Sequence, residues 1–192
     1  MRDLHLFPTA VREYDLSDDP DLRLINDVIG NQSTEPHRLI GWAESSYSTG
    51  KNILDHMLLK NFKSRLTGYV NEFARELGLK EVKIANSWFN HLAKNQRVLP
   101  HRHELSVISG AFYPYADPGS VGLRLHNPIS GLRMNEHIEE NNFINQAWCD
   151  VECRTGLLIL FPSWLEHSTE ENTTDVRTTI SFNTSTVVYV QG

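Results

Sequence analysis

Three histidines and one arginine have the spacing that chemistry at a metal would need. His101 and His103 stand in LPHRHELSV, just ahead of an apolar run. In an extended chain, residues two apart point to the same side, so both imidazoles can face one ion while Arg102 turns away. His167 follows in FPSWLEH, after an apolar strand-like run and a Pro-Ser-Trp turn, and ten positions later Arg177 opens RTTISFN. Thr179 and Ser181 share its face of that strand. A guanidinium within an apolar β segment is costly unless an anion meets it, and its planar fork fits a carboxylate through two parallel hydrogen bonds. A hydroxyl at Thr179 would add one more. Two readings stand side by side here. In one, His101, His103 and His167 hold a metal and Arg177 binds a dicarboxylate; in the other, H-x-H is a solvated surface pair and Arg177 joins an internal ion pair.

Further motifs extend the pattern: LFPTAV near the start, Gly41–Trp42, SWFN at Ser87–Asn90, and SGAFY at Ser109–Tyr113. Together with H-x-H, FPSWLEH and RTTISFN, the chain resembles the 2-oxoglutarate and Fe(II)-dependent oxygenases, and more narrowly the small bacterial and phage oxygenases related to prolyl hydroxylases. The resemblance implies a double-stranded β-helix, a jelly roll whose open end holds iron. It implies that His101 is the first ligand and His167 the last, and that Arg177 pairs with the distal carboxylate of 2-oxoglutarate. Tyr113 resembles the tyrosine that helps bind that co-substrate, and Asn90 and Trp88 lie where they would line its pocket. The implied reaction is hydroxylation of an unidentified substrate, a peptidyl or free amino acid, with release of succinate and CO2. One position departs from the wider pattern. Where most of the superfamily has Asp or Glu two residues after the first histidine, this chain has His103, with Glu104 beside it. Strand parity favours His103, and a twist or bulge would be needed to turn Glu104 inward. Two rivals remain: a cupin-like three-His dioxygenase that does not use 2-oxoglutarate, and a non-catalytic jelly-roll binding protein.

The elements that must position these residues follow from periodicity. A chain of 192 residues suits one domain with a sizeable core. Residues 1–51 read as an irregular arm with a short strand at LHLFPTAV. Apolar residues from Ile53 to Leu77 recur at three- and four-residue steps, which predicts one long helix over 52–78, closed by Gly78 and packed on the outer face of the barrel. Residues 80–192 hold at least six short β-like runs, VKIANSWFNHL, SVISGAFYPY, VGLRLHNP, AWCDVEC, GLLILFP and TTISFNTSTVVYV, with no helix between them. That order excludes a doubly wound parallel sheet and predicts an antiparallel jelly roll. The polar stretch SGLRMNEHIEENNFINQ, about 17 residues, has the length of a lid or binding loop. A formal charge of -6 argues against a nucleic acid as the main partner, leaving a small molecule or peptide. No run approaches the ~20 apolar residues of a membrane span, and no leader is visible, so a soluble cytoplasmic protein is expected. Cys149 and Cys153 would lie roughly 13 Å apart on one strand, too far for a disulfide.

Overall fold

The computed structural model describes residues 6–37, 43–49, 52–133 and 136–186. Among these residues ten strands form two antiparallel sheets, and every one of the six expected runs contributes a strand. The major sheet has the order β1-β8-β5-β10-β4-β3-β2, built from β1 (Arg12–Asp15), β2 (Glu35–Pro36), β3 (Glu44–Ser45), β4 (Val82–Ala93), β5 (Ile108–Ala116), β8 (Leu157–Pro162) and β10 (Val176–Thr186). The minor sheet is β7-β6-β9, from β6 (Leu123–His126), β7 (Trp148–Val151) and β9 (His167–Ser168).

Strand alternation divides the core in two. On β8, Leu158 and Leu160 join a large apolar cluster against the helices, whereas Leu157, Ile159 and Phe161 join a second cluster with Leu123, Leu125 and Val151 of the minor sheet. The same parity sends Ile180 and Phe182 of β10 toward the helices, which leaves Arg177, Thr179 and Ser181 on the inner face. Two irregularities keep this division intact. On β4 the pairing steps from Asn183↔Asn86 to Thr184↔Ile84, so Ala85 is an extra residue, and Ile84 and Phe89 reach the same side despite opposite parity. On β5 the extra residue falls between Phe112 and Tyr115, where Pro114 has no N–H to give to a ladder.

The long helix expected over 52–78 is not present. The α-helix near that place is Lys60–Glu76, preceded by two separate 3-10 turns at Ile53–Asp55 and Met57–Leu59. The periodicity is real, since Ile53, Leu54, Leu59, Phe62, Leu66 and Val70 are all buried, but tertiary hydrogen bonds override it. Leu54 N–H donates to Ser87 Oγ (3.0 Å) and Ser87 N–H donates to Asn52 Oδ1 (3.2 Å), which fastens this stretch to β4, and His56 breaks it with an extended backbone. The helix end does follow from Gly78. Its φ of +70° is open to glycine at little cost, and the bonds Gly78 N–H to Arg75 O and Leu79 N–H to Ala74 O close the last turn.

The arm also differs from expectation. It contains a second helix, Leu22–Gly30, which buries Ile25, Val28 and Ile29 and was hidden behind the Asp- and Pro-rich stretch before it. Arg65 of the Lys60–Glu76 helix clasps that entry through Asp19 (2.6 and 3.0 Å) and Asp21 (2.7 Å). The first strand of the arm lies at Arg12–Asp15, after the LHLFPTAV run, and the two-residue strands β2 and β3 follow within it; residues 1–5 and Gly41–Trp42 lie outside the described residues. The polar connection between β6 and β7 has its ends joined by Asn127 N–H to Ala147 O, and it exposes Leu132 and Phe143. Cys149 and Cys153 are free thiols.

Gly110 on β5 faces the ring of Phe182, and a Cβ there would overlap that ring. Gly110→Ala is therefore expected to destabilise the protein by about 1–3 kcal/mol, the usual cost of overpacking, read as a lowered melting temperature. An unchanged melting temperature would show that Phe182 moves aside freely.

Candidate active site

The three histidines meet where the strand ends of the two sheets approach. His101 and His167 form a two-way backbone bridge: His101 N–H donates to His167 O, and His167 N–H donates to His101 O, both at 3.0 Å. His103 N–H donates to Ser163 O at 3.0 Å, so the HRH segment is tied to the FPSWLEH segment at two points. The ring centroids lie 4.2 Å (His101–His167), 5.0 Å (His101–His103) and 5.1 Å (His103–His167) apart. One nitrogen from each ring can be chosen so that all three lie within 4.8 Å of one another. Glu104 is exposed and does not join this group; it lies in an outer cleft described below.

Hydrogen bonds orient two of these rings. His101 Nδ1 lies 2.8 Å from Leu99 O, and His167 Nδ1 lies 3.0 Å from Leu165 O, each a carbonyl two residues earlier in the chain. A carbonyl only accepts, so Nδ1 carries the proton in both rings and Nε2 keeps a free lone pair. Burial holds the imidazoles neutral. It pushes His167 down to about 3 and His103 down to about 4, with the neighbouring His101 adding to the effect in each case. His101 is lowered as well, again chiefly by burial.

Beneath the histidines the inner face of the major sheet encloses a cavity with an unusual lining. Trp88 Nε1, Asn90 Oδ1, Tyr113 OH, Arg177 Nε and Thr179 Oγ1 are buried without a hydrogen-bond partner among the described residues, and all five residues line this one cavity. Arg177 is 3% exposed. Its Nη1 donates to Val121 O (2.8 Å), its Cζ lies 5.4 Å from the Tyr113 ring centroid, and no ion pair among the described residues involves it. The internal salt bridge left open by the sequence is thus absent among these residues. Burial raises the Tyr113 phenol, with the Arg177 charge opposing, so the hydroxyl stays a neutral donor.

The register orders these groups. Arg177 pairs with Leu92, Thr179 with Asn90 and Ser181 with Trp88, so polar side chains run along the strands for roughly 13 Å from Arg177 to the Trp88 level. At that level the Trp88 ring lies 5.7 Å from His103. The stripe therefore starts at a guanidinium and ends at the histidines. Two contributors were missed by sequence reasoning: Ser163, whose carbonyl anchors His103, and Asn183, which continues the parity of Arg177, Thr179 and Ser181.

The depressed histidines make a prediction for the metal-free protein. An unfolded chain protonates its histidines below about 6.5, while folded His103 and His167 resist until about 4 and 3. Between those values the unfolded state binds more protons, so stability falls as pH falls through that window. Melting temperatures of chelator-treated protein should drop from pH 7 to pH 4.5, and more shallowly for His167→Gln. An equal slope in the variant would contradict the buried neutral imidazole.

Comparison with known proteins agrees with this geometry. Residues 86–183, just over half of the 192 residues, match the family described as "Putative 2OG-Fe(II) oxygenase". Comparison with curated proteins finds no match. Among solved structures, a Pseudomonas putida prolyl-4-hydroxylase superposes with a TM-score of 0.61 at 16% identity, covering 95% of this chain and 96% of that one. The viral collagen prolyl hydroxylase of Paramecium Bursaria Chlorella virus-1, in complex with 2-oxoglutarate, gives 0.60 at 11% identity, with coverage of 92% and 96%. HygX of Streptomyces hygroscopicus, with nickel, 2-oxoglutarate and hygromycin B bound, gives 0.64 at 10% identity, with coverage of 94% and 84%. Sheets, histidines and matched residues lead to one conclusion: the chain belongs to the 2OG-Fe(II) oxygenase family.

Proposed function

We propose that His101, His103 and His167 hold the Fe(II) of this oxygenase, and that Arg177, Thr179, Tyr113 and Asn90 bind its 2-oxoglutarate within a single jelly-roll domain, a double-stranded β-helix. The observation that carries this reading is the set of buried polar atoms without partners. Leaving such a group unsatisfied costs about 1–3 kcal/mol, more when it is charged, so their gathering in one cavity is the signature of a polar ligand's seat. A carboxylate at Arg177 would accept from the guanidinium, from Tyr113 OH and from Thr179 Oγ1. Trp88 Nε1 and the Asn90 amide face the rest of the molecule nearer the histidines.

Iron supplies the activation of O2, coupled to oxidative decarboxylation of 2-oxoglutarate, so that a substrate C–H becomes C–OH while succinate and CO2 leave. The protein's part is positional. Neutral imidazoles present lone pairs without competing protons, the two sheets exclude water from the inner cavity, and the guanidinium sets the direction in which the keto acid enters. A small molecule or a peptide would approach from the outer, solvent-facing side of the histidines.

Two measurements test the assignment. His101→Ala and His167→Ala should each abolish stable iron binding with the fold retained, and Glu104→Gln should keep its iron; iron lost from the Glu104 variant alone would transfer the ligand role from His103. Arg177→Ala should weaken 2-oxoglutarate binding at least ~30-fold, as expected when one member of a desolvated charge pair is removed, with Arg177→Lys intermediate. Iron affinity measured without the keto acid should change little. A lowered melting temperature with unaltered keto-acid binding would instead make Arg177 a structural residue.

A further inference from the structure

A second concavity opens on the solvent side of the same histidines. Its volume is about 600 Å³, and beside His101 and His103 it is lined by Arg102, Glu104, Leu105, Ser106, Glu166 and Asn183. Arg102 donates to Glu166 at 3.1 Å, so those two charges offset each other. Glu104 makes no ion pair among the described residues. Of the two carboxylates that line the cleft, Glu166 is paired with Arg102 and Glu104 is left to meet a ligand's charge.

A donor lines the same cleft. Ser109 Oγ donates to Asn183 Oδ1 at 2.7 Å and, with its single proton so committed, accepts from Ser163 Oγ at 2.8 Å. All three side chains are buried, Asn183 at 5% exposure. The relay fixes the amide: Oδ1 points inward, and Nδ2, which has no hydrogen-bond partner among the described residues, is left for the cleft that Asn183 lines. An oriented amide donor of this kind seeks a carbonyl or carboxylate oxygen. Leu105, 99% exposed on the same wall, offers apolar surface to methylene groups.

We propose that this outer cleft binds the substrate and that the substrate is a basic amino acid, free or within a peptide, with its backbone oxygen on Asn183 and its cationic side chain toward Glu104. The inference rests on the three histidines holding the iron. Opposite charge attracts and like charge repels across a part-exposed cleft, so discrimination between basic and acidic side chains amounts to about tenfold.

The test uses the full chain, loaded anaerobically with Fe(II) and 2-oxoglutarate and titrated by calorimetry with the N-acetyl methylamides of lysine, leucine and glutamate and with free L-lysine. The blocked lysine should bind at least about tenfold more tightly than the blocked glutamate. Glu104→Lys should reverse that order, and Asn183→Leu should weaken all three blocked probes while keeping it. Whichever of blocked and free lysine binds more tightly identifies the peptidyl or free source. Equal affinity for the lysine and glutamate probes, an order unchanged in Glu104→Lys, or binding of no probe would each overturn the proposal. Binding of 2-oxoglutarate, measured first on every variant, separates the two claims. If it is intact while the probes are not distinguished, only the substrate class fails; if it is absent from the unaltered protein, the site beneath fails.

Discussion

The reciprocal backbone bridge between His101 and His167 is the contact on which the site depends. It joins two segments 66 residues apart in the chain, and the bond from Thr169 N–H to Val98 O extends the same pairing. Two hydrogen bonds at 3.0 Å fix two side chains to the same end of the fold, and the His103 to Ser163 bond fixes the third. Each imidazole is then aimed by its own environment, two by a carbonyl on Nδ1 and one by the edge of Trp88. Side chains held by the backbone in this way would need little reordering to hold an ion.

Against this rigidity stands a deliberate deficit. Most buried polar groups in folded proteins are paired, yet here five in one cavity are not. At about 1–3 kcal/mol each, their combined cost is comparable with the whole net stability of an ordinary domain. Such a deficit is tolerable because the apolar cluster on the other face of the same strands, with Phe62, Phe112 and Ile180 among its fully buried members, packs against the helices. The β4 bulge at Ala85 and the β5 irregularity at Pro114 keep the two faces separate, so the strands that carry the deficit also carry the core.

Much of this was legible in the sequence because strand parity is a local property. Residues two apart share a face, which is why Arg177, Thr179 and Ser181, or Trp88 and Asn90, could be grouped before any fold was known. The six strands were legible for the same reason. What failed was whatever depended on distant partners. The helix over 52–78 was expected from its apolar period, but Asn52 and Leu54 are held by Ser87, more than thirty residues away. The helix at Leu22–Gly30 has its own i, i+3 spacing in Leu22, Ile25 and Val28, and was obscured by its acidic approach. Asn183 was visible in RTTISFN, but its donor role follows only from Ser109 and Ser163, which arrive from two other strands.

The family match removes the two rival classes, a three-His dioxygenase independent of 2-oxoglutarate and a non-catalytic jelly roll, and leaves the placement of the co-substrate as the central claim. In the proposed set of three neutral imidazoles without a carboxylate, an Fe(II) ion would keep its full charge toward a bound keto acid. The most direct measurement is an anaerobic titration of the Fe(II)-loaded chain with 2-oxoglutarate, followed by visible absorption. A metal-to-ligand charge-transfer band that grows to saturation with one equivalent of keto acid, and does not form with succinate, is the result this account predicts. Tight binding of 2-oxoglutarate without that band, or no binding at all, would contradict it.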